Sequence, residues 1–191
     1  MAALANPSAA SSDFDLNPDV VLPAGRKLRL AGVLVPILCN DTGAEVYLTK
    51  RSSALKHHPG QIAFPGGKQD ASDKDITQTA LREASEEIGL EPTNVRVLGQ
   101  MPSHETVTGF VVTPIVAQVL EPFAPKPEAG EVDEVFSVPL SHVMDRSRYL
   151  VQSRRWRGSR RHYYTVPFGP YYIWGATARI LCALADAADE S

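Results

Sequence analysis

The sequence predicts an α/β chain: a mixed β-sheet with helices on both faces. Two observations carry that prediction. Apolar runs of strand length, rich in β-branched residues, alternate with two long amphipathic helical patterns. The length of 191 residues, with 43% hydrophobic and 21% charged residues, suits one folded domain with a substantial core.

Residues 1–24, MAALANPSAASSDFDLNPDVVLPA, are rich in Ala, Ser, Asn and Pro and read as a flexible arm. Phe14, Leu16, Val20 and Val21 could dock this arm on the domain or on a partner subunit of a homodimer. Leu28–Cys39 is a near-continuous apolar run, the pattern of a buried strand, with Pro36 marking a bulge or strand end. Asn40-Asp41-Thr42-Gly43 has hairpin-turn chemistry, and Glu45–Lys50 supplies the partner strand. A polar, basic loop follows from Arg51 to Pro59. Gln61–Phe64 is a short strand, and Pro65-Gly66-Gly67 turns the chain into a helix. Beyond that helix, Val95–Met101, Val111–Leu120 (broken by Pro114) and Val132–Val138 read as strands, Pro102–Thr108 as a loop, and Leu140–Asp145 as a short helix. The basic stretch RRWRGSRRH at 154–162 reads as a solvated hairpin with Gly158-Ser159 at its tip, the competing reading being an anion-binding or RNA-binding patch. Tyr163–Val166 and Tyr171–Ile173 are extended segments. Gly175–Ala188 closes the fold as an amphipathic helix, with Ile180, Leu181, Leu184 and Ala188 inward.

The chemistry concentrates in residues 66–90, GGKQDASDKDITQTALREASEEIGL. Its second half predicts a helix from about Asp75 to Ile88, with Gly89 as the left-handed stop. At about 100° per residue, Thr77, Ala80, Leu81, Ala84 and Ile88 share one arc, a core face. Glu83, Glu86 and Glu87 share another. Like charges at such spacings each weaken an isolated helix by about 0.2–0.5 kcal/mol, and only Arg82 stands beside them. A hard divalent cation would resolve that repulsion, since Mg²⁺ prefers carboxylate oxygen and works with substrate phosphates.

Gly67 followed by Arg82-Glu83-Ala84-Ser85-Glu86-Glu87-Ile88-Gly89-Leu90 resembles the signature of the Nudix hydrolases, the metal-dependent diphosphatases of nucleotides and related compounds. That resemblance implies an α/β/α sandwich with a mixed sheet, spanning residues 25–191 as a single domain. It implies Mg²⁺ or Mn²⁺ held by Glu83, Glu86 and Glu87, catalytic roles for Glu83, Arg82 and Glu87, and glycines 66 and 67 turning the backbone beneath the site. The signature departs at its first acid, which is Asp73 and is separated from Arg82 by eight residues rather than seven. Glu83, Glu105, Glu131 and Glu134 are the candidates for a general base.

The preceding stretch LTKRSSALKHHPGQIAFPGG, Leu48 to Gly67, is similar to the segment that marks coenzyme A diphosphatases, with Lys56 where that group usually has Arg. GEVDEVFSVPL at Gly130–Leu140 and IWGATARIL at Ile173–Leu181 also look like that group. The resemblance implies cleavage of coenzyme A, or its derivatives, to adenosine 3′,5′-bisphosphate and 4′-phosphopantetheine, with Arg51 and Lys56 meeting substrate. Other nucleotide substrates of the family (NADH, ADP-ribose, capped RNA) and a non-catalytic nucleotide-sensing Nudix domain are the competing readings. The survival of all three helix glutamates weighs against the last.

Composition narrows the setting. A net charge of −3 argues against bulk nucleic-acid binding without excluding a local basic pocket; the small nucleotide expected as partner is what the family resemblance implies. No apolar run approaches the eighteen or so residues of a membrane span, and residues 1–24 lack the pattern of a secretory signal or an Arg-rich presequence. Cys39 and Cys182 are the only cysteines, each in an apolar segment, and read as two buried thiols in a reducing cytoplasm.

Overall fold

The structure, a computed structural model, describes residues 10–22, 25–41, 43–156 and 158–189. Its strands are β1 (Ser11–Ser12), β2 (Arg29–Asn40), β3 (Gly43–Arg51), β4 (Ile62–Ala63), β5 (Gly66–Lys68), β6 (Val95–Gln100), β7 (His104–Glu105), β8 (Phe110–Val119), β9 (Val132–Pro139), β10 (Leu150–Trp156) and β11 (Ser159–Thr165). The α-helices are α1 (Ile76–Ile88), α2 (Leu140–Met144) and α3 (Ala176–Asp189). Nine strands form one mixed sheet in the order β1-β7-β8-β2-β3-β4, with β5 beside β2, β6 beside β8 and β9 beside β3. β10 and β11 form a separate antiparallel hairpin.

The sheet's centre is the parallel pair β2 and β8, in register from Arg29↔Phe110 to Leu38↔Val119. Two prolines expected to interrupt these strands do not. Pro36 lies between the end of the β5 pairing at Val33↔Gly66 and the start of the β3 pairing at Ile37↔Val46. Pro114 lies between the β6 pairing at Gln100↔Ile115 and the β7 pairing at His104↔Val112. At each seam the strand changes neighbours, so a missing N–H breaks no ladder bond.

Each face of the sheet carries a core. On one, α1 lays Ala80, Ala84 and Ile88 over Leu34, Leu38, Ile115, Ala117 and Val119. On the other, α3 lays Ala178, Ile180, Leu181 and Leu184 over Val35, Val46, Leu48, Val116 and Val138. Full burial of a Leu-sized side chain stabilises by about 1.5–3 kcal/mol, and Leu34, Leu48, Ile115, Ile173 and Leu181 are completely covered. The expected α/β/α layering is therefore present.

Other expectations are corrected. Within the predicted arm, residues 11–17 are docked: Ser11 and Ser12 pair with His104 and Glu105, and Asn17 is buried with its side chain bonded both ways to the His162 backbone. Phe14, half-buried, docks as one of the expected anchors, with the guanidiniums of Arg26 and Arg161 at 5.6 and 5.9 Å from its ring centre; the other ties of this segment are polar. Residues 1–9, 23 and 24 of that arm lie outside the described residues. The loop at Pro102–Thr108 contains β7, and Tyr171–Ile173 makes only isolated bridges to Phe168 and Thr165 around its ends. Cys39 is exposed because it sits at the solvent end of β2, whereas Cys182 is buried, and both are free. No helix among the described residues is long and apolar enough to cross a membrane.

Candidate active site

α1 is capped as its sequence dictates. Asp75 accepts a hydrogen bond from the Gln78 N–H at 2.8 Å, and Gly89 closes the helix in the left-handed region at φ 69°. The helix is rolled relative to the predicted core arc. Its fully buried side chains are Thr79, Ala80, Ala84, Glu87 and Ile88, while Thr77 and Leu81 are half-buried. The roll occurs because β5 covers the flank that carries Glu83 and Glu87.

Arg82 organises this flank. Its Nε and Nη2 donate to the two carboxylate oxygens of Asp73 at 3.0 and 2.9 Å. Its Nη1 donates to Glu83 Oε1 and Glu86 Oε2, both at 2.9 Å. A guanidinium suits this work because its planar fork reaches several carboxylates at fixed angles. Asp73, with only 2% of its side chain exposed, also accepts from the Asp70 N–H and the Thr79 hydroxyl. The Arg82 guanidinium, followed by these bonds, holds its carboxyl well below the usual range. Asp73 is thus fully engaged as an anchor for Arg82.

The three helix glutamates occupy unlike environments. Glu86 is exposed, Glu83 half-buried and Glu87 buried. Glu87 Oε2 accepts the Gly66 N–H at 2.9 Å. Burial pushes its pKa up to about 7, against that hydrogen bond, and the neighbouring charges of Glu83 and Glu131 add to the rise. Burial likewise raises Glu83, with Arg82 opposing. The two glycines beneath them have different reasons to be glycine. Gly66 adopts φ 154°, and a Cβ there would stand 2.5 Å from the Gly32 carbonyl oxygen. A Cβ on Gly67 would meet the Glu83 carboxylate at 2.5 Å.

Among the described residues, no three His, Cys, Asp or Glu side chains converge in ligating geometry. Arg82 Nη1 stands between Glu83 and Glu86 and draws both toward itself. The donor chemistry nevertheless fits a hard divalent cation: carboxylate oxygens only, one of them on a buried glutamate whose charge is opposed by burial and by two other carboxylates.

Arg51 and Lys56, expected to meet substrate, are not equivalent. Arg51 is half-buried, and its positive charge bears on Glu87 from one side and on His58 from the other. Lys56 is exposed. Of the general-base candidates, Glu131 is the one outside the helix whose charge reaches both Glu83 and Glu87. Glu105 is paired with Arg26 at 2.7 Å, and Glu134 accepts the Tyr171 hydroxyl at 2.5 Å on the opposite face of the sheet.

That opposite face carries a cleft of about 620 Å³, lined by Lys50, His58, Glu134, Arg154, Tyr172 and Trp174 among others. It does not contain the acidic flank. Lys50 shares a cross-strand pair with Glu134, whereas Arg51, one residue on, points back toward Glu87. Sequence reasoning missed this cleft because its walls come from five separated segments. The anion-binding reading of the basic stretch 154–162 touched one wall, Arg154, and the aromatic pattern Tyr171-Tyr172-Ile173-Trp174 was the further available signal.

A family model described as the NUDIX domain matches residues 28–162. A protein of Pectobacterium atrosepticum named uncharacterized Nudix hydrolase NudL is 41% identical over 180 residues, covering 92% of this chain and 93% of that protein. A protein of the same name from Photorhabdus laumondii is 40% identical, covering 82% and 83%. Among solved structures, the Nudix hydrolase RenU of M. smegmatis superposes with a TM-score of 0.52 at 26% identity, over 61% of this chain and 74% of its own. A MutT/nudix family protein of Enterococcus faecalis gives a TM-score of 0.59 at 16% identity, over 91% of this chain and 67% of its own, a likeness of fold.

Proposed function

The chain belongs to the Nudix hydrolase family, and from that membership we propose that it hydrolyses the diphosphate bond of coenzyme A or its derivatives with Mg²⁺ or Mn²⁺. The broader statement needs no proposal: it is a diphosphatase of this family, acting on a nucleoside diphosphate-linked substrate. The finer one rests on the loop Arg51–Gly60, which carries the sequence similar to coenzyme A diphosphatases and leads directly into the glycine turn under Glu83 and Glu87. One observation carries it: Arg51, the half-buried cation of this loop, has its positive charge bearing on both the buried Glu87 and His58, so a cation is within electrostatic reach of the acidic flank.

In this reading Glu83, Glu86 and Glu87 would hold the metal, which when bound would supply charge neutralisation at the diphosphate and a more acidic water. The chain does the rest. Arg82, anchored by Asp73, fixes the rotamers of Glu83 and Glu86. Gly67 lets the Glu83 carboxylate lie against the backbone. Glu131 or Glu83 receives the proton of the attacking water. Water oxygen bonds to one phosphorus, the bridging P–O bond breaks, and the products are adenosine 3′,5′-bisphosphate and 4′-phosphopantetheine or its acyl form. The cytoplasm, where coenzyme A and free thiols coexist, is the proposed setting.

The experiment is a turnover panel with Mg²⁺ and Mn²⁺: coenzyme A, NADH, ADP-ribose, diadenosine polyphosphate and capped RNA, with products identified by mass. The highest kcat/KM is expected for coenzyme A or an acyl form, and a higher value for any other member would overturn the assignment.

A further inference from the structure

The cleft on the α3 face lies outside the acidic flank, and nothing in the preceding mechanism uses it. Its floor is the edge strand β4 with Gly60 and Gln61; its walls are Lys50, His58, Arg154, Tyr171, Tyr172 and Trp174. Four features separate it from an incidental groove. His58 is the one non-glycine among the described residues with positive φ, at 55°, a conformation that folded proteins retain mainly where the surroundings impose it. The guanidinium of Arg154 stands 4.3 Å from the Trp174 ring centre, and no carboxylate pairs with it among the described residues. The cleft's one acid, Glu134, already accepts the Tyr171 hydroxyl, and Tyr171 is itself stacked on Phe136 at 3.6 Å. Finally, β4 is only three residues upstream of Gly66, so the cleft begins about 10 Å of extended chain from the Glu87 hydrogen bond.

A cleft that joins aromatic rings to two cations, neither in a close ion pair with a carboxylate among the described residues, takes a planar, anionic ligand. Its position across the sheet edge from the acidic flank suits one end of an extended molecule whose diphosphate lies at Glu83 and Glu87. We propose that this cleft receives the nucleoside end of the substrate, with Arg154 and Lys50 meeting its phosphomonoester and Tyr172 and Trp174 bordering its base. The proposal rests on the coenzyme A reading for the identity of that end. It assigns the selection of the 3′-phosphate to the hairpin β10–β11 and to β3 rather than to Lys56.

The test titrates adenosine 3′,5′-bisphosphate and AMP calorimetrically into the full chain and into Arg154→Gln, Lys50→Met and Arg155→Gln, and measures kcat/KM for coenzyme A and dephospho-coenzyme A on each. Arg155 neighbours Arg154 on the strand but does not line the cleft, so it controls for bulk charge. The bisphosphate is expected to bind the wild type about tenfold more tightly than AMP. Arg154→Gln and Lys50→Met should remove most of that margin and lower the ratio of coenzyme A to dephospho-coenzyme A turnover by a similar factor, with Arg155→Gln keeping both. Thermal melting within about 3 °C of wild type establishes that the substitutions, at exposed Arg154 and Arg155 and half-buried Lys50, leave the fold intact. Wild-type binding and ratio in both cleft variants, or equal loss in Arg155→Gln, overturns the proposal. If the wild type cleaves coenzyme A but the cleft variants keep its preference, the cleft assignment falls and the substrate reading stands. If the wild type spares coenzyme A yet loses bisphosphate binding on Arg154→Gln, the substrate reading falls and the cleft remains an anion site.

Discussion

The two faces of the sheet handle charge in opposite ways. On the α1 face, Arg82 makes hydrogen bonds to the three carboxylates of Asp73, Glu83 and Glu86 at 2.9–3.0 Å, and the Thr79 hydroxyl and the Asp70 N–H brace Asp73 from behind. On the α3 face, Lys50 and Arg154 line a cleft that holds one acid, Glu134, already accepting the Tyr171 hydroxyl. The first arrangement is rigid and over-determined, as a site must be when a charge has to be held in place as bonds change. The second is wet and under-partnered, as a surface must be when its partner arrives with the ligand. Substitutions on the first face should therefore change turnover, and on the second, preference.

The largest effect should come from Glu87→Gln. The amide keeps the shape and can still accept the Gly66 N–H, but a charge is lost at the metal, and turnover should fall roughly a hundredfold or more. The same substitution removes a carboxylate that burial and its neighbours oppose, so metal-free melting should stay level or rise. Turnover and scanning calorimetry on one preparation check both; a fall in both would make Glu87 a structural residue and blur the contrast between faces.

The adjacent glycines sharpen it. Gly67→Ala pushes on the far end of a flexible side chain, so it should displace Glu83 and cost about tenfold or more in kcat while melting changes by less than about 3 °C. Gly66→Ala meets backbone at 2.5 Å in a left-handed conformation. It should destabilise by roughly 1–3 kcal/mol, at about 2–4 °C of melting temperature per kcal/mol. The reverse order, stability lost at Gly67 and activity alone at Gly66, would contradict the geometry.

Much of this face was legible in the sequence. The Gly89 stop, the helix start to within a residue (Asp75 proves to be its cap) and the acidic arc follow from local chemistry that tertiary contacts then respected. The role of Asp73 did not, because an added loop residue shifts it from the expected spacing; the loop absorbs that residue through the Asp73 N–H to Asp70 carbonyl bond and the returning Asp70 N–H to Asp73 carboxylate bond. The burial of Glu87 was also hidden, since helical periodicity ranks glutamate as solvent-facing and knows nothing of β5. Pro36 and Pro114 misled for a related reason: a proline's cost depends on which strand lies beside it. The cleft was invisible because no local pattern links residues 50, 58, 134, 154 and 174.

The smallest effects belong to the basic loop. Arg51→Ala should lower kcat/KM for coenzyme A by about tenfold, since that side chain is half-buried beside Glu87. Lys56→Ala should lower it less than about threefold, because an exposed ammonium is screened by water and salt. Steady-state kinetics at fixed ionic strength rank the two, and a larger loss at Lys56 would move phosphate recognition to the loop's outer edge.

The account's central claim is that the acidic flank of α1 exists to hold a divalent cation. Thermal melting across a Mg²⁺ and Mn²⁺ series, on wild type and Glu83→Gln side by side, tests it most directly. A cation bound by the folded state alone stabilises by RT ln(1 + [L]/Kd), about 2.7 kcal/mol at a hundredfold excess over Kd. The wild type should therefore gain several degrees with metal, and Glu83→Gln clearly less. Equal gains would mean that the glutamates are only a charged flank steadied by Arg82.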